Sequence, residues 1–465
     1  MNYGRRIIYS DVTEITRENV VEEVRKAATI HDSNRNDINT LYDYYTGKTK
    51  ILGKEKETRP EINHRIVEAR AYEITNFHKG YTFGEPIQYV RRENSSQDDN
   101  DDAIASDINS LNGYMADANK VSCDGKLAEW LYIAGTSYRL ILPNKKWSED
   151  GDEPPFKLYA LDPRRTFVVY SNDIESRPLM GVCVSYTENN EKVYSVYTDT
   201  SFFKFSEYGE VCEESHYLGM NPIVEYPADS ARLGVFEIVL PLLDALDELQ
   251  SNRMDDIVQF VNSYLAILGG QLDDETYKKL NEWKTLCLPE GTDAKFLSPT
   301  LNQNDVQTLK DDIVQAIFEI TAVPNRTGGD SASDNGVAVL LRNGYTASEA
   351  KAKSTETLFK ESEKTFLRLV LRILRDTVGT NLKLTDIDTH FTRRNYENIA
   401  AKSQVLVAML NNPKIHPELA FQYSGMFVDP ESAYMQSKAY YEEEQAKWEP
   451  VEVDEREADA DVRVS

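Results

Sequence analysis

Between residues 11 and 46, apolar side chains recur at three-to-four spacing, at Ile15, Val20, Val21 and Val24 and again at Ile38, Leu41, Tyr42 and Tyr45. That period predicts helix, and Gly47 supplies its stop. A second helical pattern over about 63–78 carries Ile66, Val67, Ala69, Ala71, Ile74 and Phe77. It closes at Gly80, ahead of a turn and strand in YTFGEPIQYV (81–90). Residues 95–102 (SSQDDNDD) are wholly polar and predict a solvated loop. Over 127–226 the pattern shifts to short runs of β-branched and aromatic residues: WLYIAGTSYRLILP, FKLYALDP, TFVVYS, LMGVCVSYT, KVYSVYTD and SFFKFSEYG. These predict an antiparallel meander, turned at Asp162-Pro163, Ser171-Asn172-Asp173 and Glu188-Asn189-Asn190.

After Gly234 the chain reads as helical. In 241–262, with Pro241 near the start where its missing N–H costs little, Leu242, Leu246, Leu249, Ile257, Phe260 and Val261 form one stripe. Asp244, Asp247, Glu248 and Asp255 face elsewhere. An insert with strand character follows, SYLAILGGQL to DAKFLSP. A second helix over 304–324 starts at Asn304 as N-cap with Gln307 three later and ends at Pro324. Its stripe is Val306, Leu309, Ile313, Ala316, Ile317 and Ile320. By pattern alone these two helices either pair within one chain or seek partners outside it. NRTGGDSASDNG (325–336) predicts a flexible loop whose glycines and serines set little backbone preference. A third helix over 336–375 would span about 60 Å, with a kink at Asn343-Gly344. Residues 342–375 hold eight basic against four acidic side chains, a cationic stretch suited to subunit packing or an acidic neighbour.

That stretch stands out because the whole chain, 465 residues with 40% hydrophobic side chains, carries a net charge of −26. Its length allows two to four units with cores of their own. A broad basic grip on nucleic acid is excluded, since such affinity comes from phosphate neutralisation. The longest apolar run, 235–243, is broken by Glu237 and Pro241 and falls far short of the roughly 20 residues that span a bilayer. The N-terminus lacks the apolar core of a secretory signal; assembly in a cytosol and no membrane partner are expected. Cys123, Cys183, Cys212 and Cys287 are widely spaced, which argues against zinc or a disulfide framework and for buried reduced thiols. The last 24 residues hold ten acidic and three basic side chains and fray into VEVDEREADADVRVS, a tail expected to be disordered.

No chemistry emerges. Nucleotide-binding and nucleophile motifs are absent from the sequence, and the six histidines are scattered. Asp255-Asp256 and Asp311-Asp312 are the obvious carboxylate pairs, but neighbours on a helix point about 100° apart and make no ready chelate. Gly328-Gly329 with Ser331 and Ser333 lacks the Lys and the preceding strand of a phosphate-cradling loop, and reads as a linker. No catalytic residue, metal or cofactor is expected.

The tracts YYTG (44–47), Asn63 and GYTFGEPIQY (80–89), the run LDPRRTFVVYSND…KVYSVYTD, and NPIVEYPADSARLGVFEIVLPLLDAL leading into PNRTGGDSASDNGVAVLLRNG carry a resemblance. In order and detail the chain resembles the portal proteins of long-tailed double-stranded-DNA bacteriophages. One departure is Asn335-Gly336-Val337-Ala338, where the family has Ser-Gly-Val-Ala. The resemblance implies an α+β portal fold: a wing of helices and antiparallel sheet (1–233), stem helices (234–263 and 304–324), a small α/β clip (264–303), a tunnel loop (325–336), a long wing helix with a return segment (337–394), a helical crown (395–448) and an acidic tail (449–465). It implies stem residues Leu242, Leu246, Leu249, Ile257, Leu309, Ile313 and Ile317. It also implies that Asn325, Arg326, Thr327, Gly328, Gly329, Asp330, Ser331, Ser333 and Asp334 face double-stranded DNA.

Assembly as a homo-oligomeric ring of about twelve at a capsid vertex of the virion is implied, with the terminase large subunit, a head–tail adaptor, and major capsid and scaffold proteins as partners. Such a ring would bring about −300 formal charges around DNA before screening. The alternative is another acidic virion assembly protein, a scaffold or adaptor without a DNA channel.

Overall fold

The computed structural model describes residues 3–57, 59–92, 101–148, 151, 153–207, 209–261, 264–268, 293–297, 303–324, 345–392, 399–427 and 430–448. These divide into two compact units that part between 392 and 399.

The first unit is mixed helix and sheet. β1 (Ile8–Ser10) precedes α1 (Val20–Tyr45), and α1 ends as its sequence predicts: Gly47, at φ +79°, turns the chain out of the helix. The helical reading of 63–78 is corrected at both ends. Residues 63–69 are not helical, and α2 (Arg70–Phe83) runs through Gly80 to a cap at Gly84. β2 (Gln88–Arg91) follows. Asp101 and Asp102, expected in a loop, begin α3 (Asp101–Asp117); the rest of that loop lies outside the described residues. α4 (Lys120–Ala134) absorbs the WLYIA run that reads as strand. Its inward positions Leu127, Leu131, Ile133 and Ala134 are all fully buried, and continuous burial erases the alternation that separates strand from helix. Gly135 ends it at φ +76°, where an added Cβ would lie 2.1 Å from the Arg232 carbonyl oxygen, so only glycine fits.

The expected single meander is two sheets. β3 (Thr136–Pro143) lies between β4 (Phe156–Leu161) and β10 (Ile223–Pro227), all antiparallel. The six-stranded sheet has the order β1-β5-β6-β7-β8-β9, with β5 (Thr166–Ser171), β6 (Pro178–Tyr186), β7 (Lys192–Tyr197), β8 (Ser201–Ser206) and β9 (Cys212–Ser215) antiparallel in sequence. β1 adds in parallel, Ile8 opposite Val169. α1 covers one face, burying Val20, Val24 and Ala27 against Phe167, Val169, Met180, Val182, Val196 and Phe203. Asn34 of α1 exchanges two hydrogen bonds of 2.9 Å with the Arg6 backbone, standing in for a strand partner just ahead of β1. Of the thiols, Cys123 is buried and Cys183 half-buried, but Cys212 is exposed on the edge strand β9, contrary to expectation.

α5 (Leu240–Val261) and α6 (Gln303–Thr321) pack together. The strand character of the insert between them appears as a hairpin of β11 (Tyr264–Leu268) and β12 (Asp293–Leu297), Tyr264 opposite Leu297. α7 (Tyr345–Thr377) has 33 residues, about 50 Å; the upstream part and the expected kink lie outside the described residues. Its inner face, including Phe359, Phe366, Leu367, Val370 and Leu374, meets Leu127, Leu131, Ile141, Phe156 and Tyr226 in the largest core. β13 (Ile387–His390) then pairs antiparallel with β2.

The second unit is helical: α8 (Ile399–Leu410), α9 (Pro417–Ser424) and α10 (Pro430–Trp448). Phe421 stacks on Phe427 at 5.1 Å and meets Tyr434 at 5.8 Å. Val405, Val407, Tyr423, Met435, Tyr440 and Tyr441 stay exposed.

Candidate functional site

The α5–α6 pair carries the two apolar stripes that the sequence leaves to pair within one chain or with partners outside it. Leu246 and Ile317 are fully buried, with Leu242 and Ile313 packed beside them, in a cluster with Leu41, Ile74, Ile133 and Phe236. Leu249 is half-buried. Ile257 and Leu309 are not brought into that cluster: 38% and 50% exposed, they join Met254 and Ile320 as apolar side chains left at the surface of the pair. Asn304 is not an N-cap, because the helix already includes Gln303; Gln307 instead accepts from Arg253 and donates to Asp311.

The larger correction concerns the acids. Asp247 and Asp255 do not face solvent; with Ser251 they form a buried row at four-residue spacing. Each takes a backbone N–H from the non-helical segment that precedes α2. Glu68 N donates to Asp247 at 2.8 Å, Ile66 N to Ser251 Oγ at 2.9 Å, and His64 N to Asp255 at 2.8 Å. The two elements run antiparallel and in step, because two residues of extended chain (about 6.6 Å) match one helical turn of four (about 6 Å). Residues 64–68 are thus held out of helix by α5.

Asp255 also accepts from His64 Nδ1 at 2.7 Å, Lys54 at 3.2 Å and Lys56. Burial pushes its carboxyl up, but the Lys56, His64 and Lys54 hydrogen bonds outweigh that and hold it well below the usual carboxylate range. Asp256, the next residue, is exposed, as are Asp311 and Asp312.

A second polar centre, which the sequence reading missed, lies inside the α7 core. Glu363, fully buried, accepts from Tyr89 Oη at 2.5 Å, Tyr226 Oη at 2.8 Å, Arg139 Nη1 at 3.1 Å and Lys120 Nζ at 3.0 Å. Arg139 also pairs with Asp124, which Lys120 reaches at 2.5 Å. Two cations and two anions cancel, which is the condition for burying them at tolerable cost. Burial raises the Glu363 carboxyl, but Arg139, Lys120 and the Tyr89 hydroxyl bring it down to about 2. The centre joins β2, α4, β3, β10 and α7. The only sequence signal for it is an Arg in a strand otherwise apolar (SYRLIL) and a Glu on the apolar stripe of α7. The tyrosines of the tracts quoted above act alike: Tyr44 reaches Asp244 on α5 at 2.5 Å, and Tyr81 reaches Glu349 on α7 at 3.0 Å.

Residues 325–334, expected to face DNA, lie outside the described residues, as do Cys287 and the acidic tail. Among the described residues no group of three or more His, Cys, Asp and Glu is placed to hold a metal ion, and no helix is long and apolar enough to cross a membrane. The arrangement is one of braces around two long-helix systems.

Residues 25–450 match the family of phage portal proteins of the SPP1 Gp6-like type. No curated protein matches. Solved structures with similarity include the necks of a native gene transfer agent particle, computed with C12 symmetry, and of the empty particle, computed with C6 symmetry, both at a TM-score of 0.46. The virion of the native particle gives 0.42. Each is 13% identical, over 84% of this chain and 94% of the other.

Proposed function

The chain belongs to the SPP1 Gp6-like family of phage portal proteins, and on that premise we propose that it is the ring subunit of a tailed bacteriophage portal. The family is structural and non-enzymatic. In this reading about twelve copies close around a channel at one capsid vertex of the virion, through which the genome is packaged and later ejected. Within the first unit α5 and α6 would be the stem, the β11–β12 hairpin the root of the clip and the remainder the wing, with α8 to α10 the crown. The clip would dock the terminase large subunit and then the head–tail adaptor, with major capsid and scaffold proteins around the wing. Residues 325–336 would be the tunnel loop.

One observation carries the reading within that family. The stem pair satisfies Asp247, Ser251 and Asp255 within the chain yet leaves Met254, Ile257, Leu309 and Ile320 uncovered. A monomer gains nothing from four large apolar side chains on one helix pair, whereas a closed ring buries them between copies. Mass by light scattering after size exclusion, with negative-stain imaging, tests it. The expected result is a ring with a central hole; a monomer near 53 kDa at every salt concentration would overturn it.

A further inference from the structure

The C-terminus of α6 ends against two side chains from distant parts of the chain. A helix leaves its last carbonyls without partners, and four at this end are met by named donors. Val323 N donates to Phe318 O at 2.9 Å and Ala322 N to Glu319 O at 3.3 Å, the paired bonds of a Schellman turn. Val323 and Phe318 are both buried in one cluster, the apolar contact that accompanies such a turn. The carbonyls of Thr321 and Ala322 are met from outside. His78 Nε2 of α2 lies 2.7 Å from Thr321 O, and Ser348 Oγ of α7 donates to Ala322 O at 2.7 Å. His78 is fully buried. A carbonyl only accepts, so Nε2 carries the proton and Nδ1, which has no partner, is bare. Burial holds the ring at a pKa of about 4, neutral at physiological pH. The turn itself is strained, because Ala322 occupies φ +57° where glycine is usual.

A strained turn whose Thr321 and Ala322 carbonyls are held by α2 and α7 is a fixed post, and Pro324 follows directly. We infer that His78 and Ser348 are positioning residues that anchor the end of α6 to the wing helices. Load on the chain beyond Pro324 then passes into α2 and α7 and does not unwind α6. The transfer of load rests on the portal reading above; the anchor itself does not.

Hydrogen exchange resolved by mass spectrometry on the purified full chain tests the anchor. His78→Phe keeps the ring and removes the donor, Ser348→Ala removes the other, and His78→Gln restores an N–H near the Nε2 position. Exchange at the 318–323 amides is expected to rise about tenfold in the first two variants, the factor for one lost hydrogen bond, with α1 unchanged and with recovery in His78→Gln. Unchanged exchange at 318–323, or an equal rise in α1, would overturn the anchor, and Ser348→Ala decides the matter should His78→Phe not fold. Genome packaging by phage carrying Ser348→Ala reads the second half: reduced packaging with intact rings is expected. Normal packaging through rings whose 318–323 turn exchanges freely would overturn load transfer while leaving the portal reading standing, and absence of rings in the unsubstituted chain would strike that reading alone.

Discussion

Glu363→Gln removes one charge from the core of the first unit while leaving its volume almost unchanged. The carboxylate accepts from two tyrosine hydroxyls, Arg139 and Lys120, all at 3.1 Å or less. An amide cannot accept with both of its polar atoms, so at least one of those donors loses its partner. The buried set passes from neutral to a net of +1. Breaking a buried pair in this way costs about 3–5 kcal/mol, a large share of the roughly 5–15 kcal/mol that holds a domain together. Urea unfolding followed by Trp130 fluorescence measures it, since Trp130 stacks on Tyr42 in the same unit at 5.3 Å. Lys120→Met added to Glu363→Gln restores neutrality, leaving Arg139 with Asp124, and is expected to recover at least about 1 kcal/mol. Glu363→Gln within about 0.5 kcal/mol of the unsubstituted chain, or a double variant no more stable than the single one, would refute charge balance as the reason the four groups are tolerated.

Asp255→Asn should cost about 2–4 kcal/mol by stripping charge-assisted bonds from Lys54, Lys56 and His64. Because the Asp255 carboxyl is held below its ordinary value of 3.8, its stabilisation is complete above that pH and lost as pH falls beneath it; acid titration of the Asn variant should be flatter in that window. Ala322→Gly should relieve the left-handed strain and stabilise the first unit by up to about 1 kcal/mol, read as a higher urea midpoint. Ile257→Asp with Leu309→Asp should shift assembled material towards 53 kDa in light scattering while leaving thermal unfolding of the monomer within a few degrees, since both side chains are already exposed.

The sequence alone determined what depends on near neighbours. α1, α5 and α6 follow from apolar spacing, Gly47 and Pro241 mark ends that the structure keeps, and β6 to β8 follow from alternation between short turns. Four of the residues read as stem, Leu242, Leu246, Ile313 and Ile317, do meet in one cluster, because an apolar stripe names the face a helix buries.

Tertiary structure decided what depends on distant partners. β1 is three residues long and finds its parallel partner at Val169; nothing local marks a strand so short. Residues 63–69 have a helical pattern, yet Asp247, Ser251 and Asp255 offer their backbone N–H groups better acceptors than a helix start does. The same acids look like solvent-facing charges in one dimension, and Glu363 is a lone charge on an apolar stripe. Whether a charge is buried is settled by which counter-charges the fold brings to it, and those come here from up to about 240 residues away, a separation that periodicity does not encode.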